Sequence, residues 1–412
     1  MEEDIVKQVD ANSSSMSTNQ KWVLASLSSG FMLENMDVMF LSFSLSAIIA
    51  QLHISSAAGG WIGTFTNLGM FVGGALFGLL GDRIGRVKTF TYTIFIFAIA
   101  TGLTFFAHNI TSLYILRFIA GIGAGGEYGV GIALIAENFR ASQIGRMTSI
   151  AAIGGQVGSI LAALLAAWVV PTWGWNTLYL FGILPVILTY FVREHVQESD
   201  SFLKAQAQAK QNQERISFGR LFATPSLSLQ TLGLMWMTIV QIAGYFGLMN
   251  WLPSIVQQQH GLSVSGSSYW MIATIIGMSL GMLVFGTVLD RLSPRWAFTI
   301  FLLGSAGVMF TILNAHTMVG MLLAGACIGF FSNGMFGGYG AVISLLYPTE
   351  IRSTANNVIM NTGRAVGGFS SVVIGLLIDH YSLTVVMGFL ATLYILSFLV
   401  MISLPGLRKI KS

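Results

Sequence analysis

Long apolar segments separated by short polar connections dominate the hydropathy pattern of this chain. Each segment can cross a lipid bilayer as a helix, because a spanning helix needs about 20 mostly apolar residues. The pattern predicts helices at 22–51, 59–80, 88–107, 111–137, 146–170, 175–193, 226–256, 265–289, 296–314, 317–347, 355–379 and 382–405. It therefore predicts an all-α membrane protein with twelve transmembrane helices.

The positive charges of the connections alternate along the chain. Eighteen of the 20 Lys and Arg residues lie before, between or after the apolar segments, and every second connection has none. Cytoplasmic loops of membrane proteins collect Lys and Arg. The alternation predicts a multi-pass protein of the cell membrane with two cytoplasmic tails, at 1–21 and 406–412. The two exceptions, Arg117 and Arg364, fall within apolar segments and are candidates for function.

The composition agrees with a membrane protein. Hydrophobic residues make up 54% of the chain and charged residues 9%, far from the values of a soluble domain. The single cysteine, Cys327, excludes an internal disulfide and a cysteine-based metal site. We expect the bilayer and a small-molecule substrate as partners, with no nucleic acid, no metal and no cofactor other than a coupling proton. We also expect a functional monomer.

A repeated motif divides the chain into two halves. Gly78-x-x-x-Asp82-Arg83 closes the second segment, and Gly286-x-x-x-Asp290-Arg291 closes the eighth. Duplicated halves around a central cavity are the architecture of alternating-access carriers. The predicted N-terminal half, linker and C-terminal half are 22–193, 194–225 and 226–405. The polar linker is predicted to be a plain tether, in part helical.

Two loop sequences resemble the Major Facilitator Superfamily. GLLGDRIGRVK at 78–88 is similar to the family's signature loop, and YPTEIRSTA at 347–355 is similar to the matching stretch of the second half. The resemblance covers essentially the whole chain. It implies two pseudo-symmetric six-helix bundles and secondary active transport.

Finer features resemble the aromatic acid:proton symporter and niacin-transporter branch of that family. These features are RFIAGIGAGGEYG, NWLPSI followed by GLS, and TGRAVGG. The branch usually opens its first helix with Asp-Gly-Tyr/Phe-Asp, whereas this chain has Glu34-Asn35-Met36-Asp37. The departure affects the identity of the substrate more than the mechanism. Sugar porters share several of these marks, including a glutamine at the position of Gln156.

The resemblance also implies a cytoplasmic gate. By this resemblance, a cluster of loop charges latches the two halves together when the carrier opens outward. Glycines in the same loop would permit a close helix approach and a tight turn. The predicted gate residues are Gly78, Asp82, Arg83, Gly85, Arg86, Glu137, Arg140, Asp290 and Arg291. The alternative is that these charges only set the topology.

Ionisable groups inside spanning helices are functional candidates, because they are costly in a bilayer. At a rise of about 1.5 Å per residue, Asp37 and Arg117 reach similar depths and can meet. We expect Asp37 to be ionised while paired and protonatable when the pair opens, which would couple transport to protons. Glu34 lies one turn below Asp37 and belongs to the same predicted site. The alternative is a permanent structural ion pair.

The remaining embedded polar residues are candidates for the substrate site. Arg364 is predicted to bind a carboxylate of the substrate, because its own half offers no embedded carboxylate near it; the alternative is hydrogen bonding between helices. Glu127 is a second protonation site or caps a close helix contact. The other predicted substrate-binding residues are Gln156, Gln241, Tyr245, Asn250 and Asn333. Each of these is equally suited to holding helices together or anchoring the membrane interface.

These features favour a proton symporter that imports a small organic anion, an aromatic acid or another monocarboxylate. A symporter for a neutral sugar or polyol is the main alternative, and the embedded Arg364 argues mildly against it. A drug:proton antiporter is disfavoured because the fifth segment, GGQVGSILAALLAA, lacks the proline typical of that class. A nutrient sensor is not expected, because the sequence shows no long cytoplasmic signalling domain of the kind that marks such proteins. An enzyme is not expected, because the segments hold no Ser/His/Asp set and no His cluster.

Overall fold

The computed structural model describes residues 16–211, 217–260, 264–315 and 317–409. Its helices are α1 Thr18–Leu52, α2 Ser56–Ile84, α3 Arg86–Leu103, α4 Ile110–Asn138, α5 Ile144–Trp173, α6 Trp175–Leu178, α7 Pro185–His195, α8 Asp200–Gln211, α9 Pro225–His260, α10 Val264–Arg291, α11 Pro294–Val308, α12 Met318–Gly334, α13 Phe336–Leu346, α14 Arg352–Gly367, α15 Ser370–His380, α16 Leu383–Ser403 and α17 Pro405–Lys409. Within the described residues the fold is helical and contains no strand. The prediction of an all-α membrane protein is confirmed.

Twelve helical segments correspond to the twelve predicted spans. Three segments are broken into two helices each: α6 and α7 around a 3₁₀ turn, α12 and α13 at Met335, and α14 and α15 at Gly368 and Phe369. Among the described residues, ten segments are long and apolar enough to cross a membrane. The other two are α1, with Glu34 and Asp37, and α14–α15, with Arg364.

Glycines allow close packing at equivalent places in the two halves. Gly73 and Gly125 place α2 and α4 backbone to backbone, because a Cβ atom at either position would meet the facing main chain. Gly277 and Gly281 do the same for α10 against the backbone of α12. Small residues at such contacts let dispersion forces act over a whole helix length in a membrane. This packing joins α2 closely to α4 in the first half and α10 to α12 in the second.

The two halves contact each other at one end of the molecule. At this end α14 lies against α2 and α4, and α10 and α13 lie against α5. Asn361 Nδ2 donates to the carbonyl of Gly125 at 2.9 Å, and the amide of Gly129 donates to Asn357 Oδ1 at 2.9 Å. Both ends of the described chain lie on this side. This side carries the arginines of the basic connections, among them Arg86 and Arg352, and is named the basic face. The contacts close the molecule at the basic face.

Candidate functional site

A cavity lies between the two halves, beyond the contacts of the basic face. Its volume is about 110 Å³. Its lining includes five aromatic residues, four amides and two charged residues: Phe31, Tyr128, Tyr245, Phe246, Phe336, Asn35, Asn67, Gln156, Asn333, Glu34 and Arg364. Mostly apolar walls with a few convergent polar groups are characteristic of small-molecule sites. This central cavity is the candidate functional site.

Arg364 and Glu34 form an ion pair across the cavity. Arg364 Nη1 donates to Glu34 Oε1 at 3.1 Å, and it also contacts the sulfur of Met70. The two side chains come from opposite halves, α14 and α1. Sequence reasoning looked for a carboxylate partner of Arg364 in its own half and found none, and the structure supplies one from the N-terminal half. Glu34 and Asp37 therefore belong to different ion pairs, although sequence reasoning assigned both carboxylates to one site.

One aromatic ring contacts the guanidinium of Arg364, and other rings line the same cavity. Its Cζ lies 5.7 Å from the centroid of the Tyr128 ring, within the range of a cation–π contact. Tyr128 stacks on Phe31 at 5.4 Å and meets Phe336 at 5.9 Å. On the wall formed by α9, Tyr245 and Phe246 meet edge to face at 5.5 Å. The guanidinium therefore contacts one of the five rings that line the cavity, and these five rings are named the aromatic frame below.

Asp37 and Arg117 form a second ion pair, away from the cavity. Arg117 Nη1 donates to both carboxylate oxygens of Asp37, at 3.0 and 2.9 Å, and Nη2 donates to Thr101 Oγ1 at 2.9 Å. The side chains are 1% and 3% exposed for Arg117 and Asp37, and neither residue lines the cavity. The guanidinium also lies 5.2 Å from the ring of Tyr179. The sequence correctly brought these two groups together, but the pair is sealed inside the N-terminal half.

Glu127 is buried behind the cavity wall. Its Oε1 has no hydrogen-bond partner among the described residues, and it lies against Gly30 of α1, where a Cβ atom would collide with it. It is close enough to Glu34 and Arg364 to interact electrostatically with both. Glu127 therefore contributes to the potential of the cavity without lining it.

The predicted amides divide into two groups. Gln156 and Asn333 line the cavity, as does the aromatic Tyr245. Gln241 is fully buried outside the lining and donates from Nε2 to Asn333 Oδ1 at 3.0 Å, so it holds a lining residue in place rather than facing the cavity. The side chain of Asn250 lies outside the described part of the chain. The structure adds Asn35 and Asn67, which sequence reasoning missed although Asn67 is the single amide of its apolar segment.

Buried charges at the basic face connect the halves. Asp82 accepts from the amides of Ser353 and Thr354, at 3.1 and 2.8 Å, in the first turn of α14. It also forms an ion pair of 2.7 Å with Arg86, which pairs in turn with Glu137 at 3.0 Å. All three charged side chains are fully buried. The N-terminal half is thereby joined to a helix of the C-terminal half.

The motif of the second half makes the reciprocal contact. Asp290 accepts from the amides of Gly145 and Arg146, both at 2.8 Å, in the first turn of α5. Each motif carboxylate therefore caps a helix of the opposite half, where the positive end of the helix dipole favours a negative charge.

Other predicted gate residues have different positions. Arg83, Arg140 and Arg291 are exposed rather than part of the buried charge cluster. Arg352, which lies 3.8 Å from Glu137, contacts the buried charge cluster instead, and so does the linker. Gly78 packs on Thr354, and Gly85 has φ 120°, a conformation that glycine adopts readily, at the sharp junction of α2 and α3.

The linker contacts this cluster and is not a plain tether. Glu198 accepts from the amides of Arg86 and Val87, both at 2.9 Å, and so caps the start of α3. Ser199 donates to Glu137 at 2.9 Å, and Phe202 lies 4.5 Å below the guanidinium of Arg86. Burial raises the pKa of Glu198, although the amides that donate to it act in the opposite direction.

Comparison with known proteins agrees with this architecture. The model of the Major Facilitator Superfamily matches residues 27–367 and 234–410. The chain is 41% identical over 386 residues to a Haemophilus influenzae protein described as "Putative metabolite transport protein", covering 92% of this chain and 94% of that one. It is 29% identical to a Bacillus subtilis protein described as "Putative niacin/nicotinamide transporter NiaP", covering 89% and 91% of the two chains.

A solved structure shares the fold. The proton:xylose symporter XylE, bound to 6-bromo-6-deoxy-D-glucose, superposes with a TM-score of 0.78 at 18% identity, over 94% of this chain and 96% of that one. The paired halves, the central cavity and the family match lead to one conclusion. The chain belongs to the Major Facilitator Superfamily and is a multi-pass membrane transporter of small molecules.

Proposed function

We propose that this transporter imports a small organic anion, best an aromatic monocarboxylate, together with a proton. The observation that carries the proposal is the guanidinium of Arg364 within the aromatic frame of the central cavity. A planar guanidinium fork matches the geometry of a carboxylate, and rings stack on rings. An aromatic acid satisfies both parts of this site at once.

The size of the cavity favours a small substrate. A buried water needs roughly 10–15 Å³ of cavity volume. The central cavity, of about 110 Å³, therefore has room for a cluster of waters or for a molecule with a single ring. A larger conjugate would require the halves to separate further. The name of the Bacillus subtilis relative, "Putative niacin/nicotinamide transporter NiaP", fits a single-ring substrate.

The contacts at the basic face support transport by alternating access. Asp82 and Asp290 hold that face closed, and opening it requires both helix caps to break. The excess of Lys and Arg in the connections on this side supports its assignment as the cytoplasmic face, by the positive-inside rule. A carrier closed at the cytoplasm is ready to receive substrate from outside the cell.

A specific observation favours a second candidate, the symport of a polyol or sugar. Four amides line the cavity: Asn35, Asn67, Gln156 and Asn333. Amides donate and accept hydrogen bonds and so suit hydroxyl groups. With a polyol bound, Arg364 would remain paired with Glu34 alone, whereas an acid would itself form an ion pair with Arg364.

Binding and uptake measurements test the proposal. Purified protein is heated with nicotinate, benzoate, nicotinamide or xylose, since a specific ligand raises the apparent melting temperature by mass action. We expect stabilisation by the two carboxylates and less by their uncharged counterpart nicotinamide. In proteoliposomes, uptake of the stabilising acid should accelerate with an inward proton gradient and collapse with a protonophore. If only xylose stabilises the protein, the organic-anion proposal is wrong and the symport of a polyol or sugar is supported.

A further inference from the structure

We propose that the carboxylate of Glu34 holds the place of the substrate's carboxylate on Arg364 and takes up the transported proton when the substrate displaces it. The inference rests on the proposed function, since it assumes a carboxylate substrate. It assigns coupling to Glu34 rather than to Asp37.

The first argument is access. Glu34 and Arg364 both line the cavity, and the Arg364 side chain is 14% exposed there. Asp37 and Arg117 do not line it and are sealed against Thr101 and Tyr179. A solute can therefore reach the first pair without unpacking the N-terminal half, but it cannot reach the second.

The second argument is competition for one guanidinium. Glu34 approaches Arg364 through a single oxygen on Nη1, at 3.1 Å. A planar carboxylate that enters the cavity can form the two parallel hydrogen bonds that a guanidinium prefers. The incoming anion then gains more than Glu34 loses, provided that the released Glu34 does not remain charged.

The third argument is the charge that surrounds a released Glu34. Asp37 lies one turn away on α1, and its charge is compensated by Arg117. Glu127 of α4 is also within electrostatic range of Glu34. Arg364, the only positive group that contacts Glu34 in the described structure, would be taken by the ligand. A buried carboxylate without a counter-charge is costly, so it binds a proton.

The exchange is balanced in charge and atoms. A substrate anion and one proton enter; the ion pair of Glu34 with Arg364 is replaced by a pair of substrate with Arg364; and an O–H bond forms on Glu34. The empty and the fully loaded cavity therefore carry the same net charge. Binding of either the anion alone or the proton alone would leave an uncompensated charge, which resists transfer through a low-dielectric path. This difference would link the two movements.

The test counts protons during binding, in detergent and without transport. Nicotinate, with benzoate as a second carboxylate, is added to purified protein in weakly buffered solution at neutral pH, and a pH indicator reports proton uptake. We expect about one proton per nicotinate bound in the parent protein. Glu34→Gln should take up none and should bind nicotinate at least tenfold more tightly, because the competitor is gone. Asp37→Asn should still take up the proton.

Several results would overturn the inference while leaving the substrate class intact. They are binding without proton uptake in the parent, proton uptake that persists in Glu34→Gln, and uptake that is lost only in Asp37→Asn or Glu127→Gln. Failure of both carboxylates to bind the parent would instead sink the proposed function and this inference with it. If Glu34→Gln cannot be purified, the parent alone decides. Its affinity for nicotinate should fall by up to about tenfold per pH unit as Glu34 ionises, and an affinity that is constant between about pH 5 and 9 would contradict the exchange.

Discussion

Asp82 and Asp290 occupy equivalent places in the two halves, and each caps the first turn of a helix in the opposite half. The two contacts differ in one respect. Asp82 is also paired with the buried Arg86, whereas Asp290 accepts hydrogen bonds from main-chain amides and its nearby cation, Arg146, is exposed. The two caps are therefore related by the repeat but unequal in strength.

Asp82→Asn should weaken closure at the basic face more than Asp290→Asn. The substitution removes a charge from both the cap and the ion pair, at about 1.5–3 kcal/mol for each charge-assisted hydrogen bond. Ser149 reports on closure because it lies between the halves, against Gly286 and Gly337. With Cys327 replaced by serine, a cysteine at position 149 should react several-fold faster with a permeant maleimide in Asp82→Asn. The exposed Lys88→Gln serves as the control, and an equal effect of that control would refute the assignment.

Removal of Asp37 should destabilise the protein strongly, because it leaves Arg117 buried without its counter-charge. Loss of one partner of a buried pair costs about 3–5 kcal/mol. Asp37→Asn and Arg117→Gln should each lower the apparent melting temperature by several degrees. The double variant should lose clearly less than the sum of the two, since no lone charge remains. Glu34→Gln is the matched comparison and should cost less, because Arg364 is partly solvated. Additive losses would show that the two residues do not act as a pair.

Segment positions and the meeting of Asp37 with Arg117 could be predicted from the sequence because both depend on distance along a helix axis. Apolar length fixes where a chain crosses the bilayer, and the rise per residue fixes the depth of a side chain. The pairing of Glu34 with Arg364 depends instead on the rotation of α1 and α14 and on their approach from opposite halves. Neither the rotation of these helices nor their approach can be calculated from the spacing of residues along one segment.

The charges of the basic face were predictable only in part. The motif repeat placed Asp82 and Asp290 correctly, since a repeat implies equivalent positions. Exposed Arg140 and half-buried Arg352 look alike in sequence, because both are single arginines at the ends of apolar segments. Only the packed structure distinguishes them, since burial depends on neighbours from the other half.

Acidification should strengthen the attachment of the linker through Glu198. Its pKa is raised from the ordinary value of 4.5 by burial. A carboxyl group with a raised pKa in the folded state contributes its full stability below that ordinary value and loses it as pH rises through the folded pKa. Glu198→Ala removes this titration, so the melting temperature of the parent should exceed that of the variant by more at pH 5 than at pH 7.5. A difference that is larger at pH 7.5 would reverse the sign and exclude burial as the dominant cause.

Arg364→Lys should separate recognition of an acid from recognition of a neutral molecule. Lysine keeps the positive charge but loses the planar fork that holds two carboxylate oxygens, and Arg364→Gln loses both. Each charge-assisted hydrogen bond contributes about 1.5–3 kcal/mol, and about 1.4 kcal/mol corresponds to a tenfold change in affinity. We therefore expect the affinity for nicotinate to fall at least tenfold in the Lys variant and further in the Gln variant.

Nicotinamide supplies the control for that measurement, since it has the same ring without the charge. Its affinity should change much less than that of nicotinate in both variants, because it binds through the rings and amides of the cavity. Calorimetry or thermal shift on purified protein gives both values, and recovery of each variant from the membrane fraction shows that it is inserted. If Arg364 serves only to bind Glu34 and hold the two halves together, both ligands will lose affinity to the same extent. If both variants bind nicotinate as tightly as the parent, the substrate does not contact Arg364 at all.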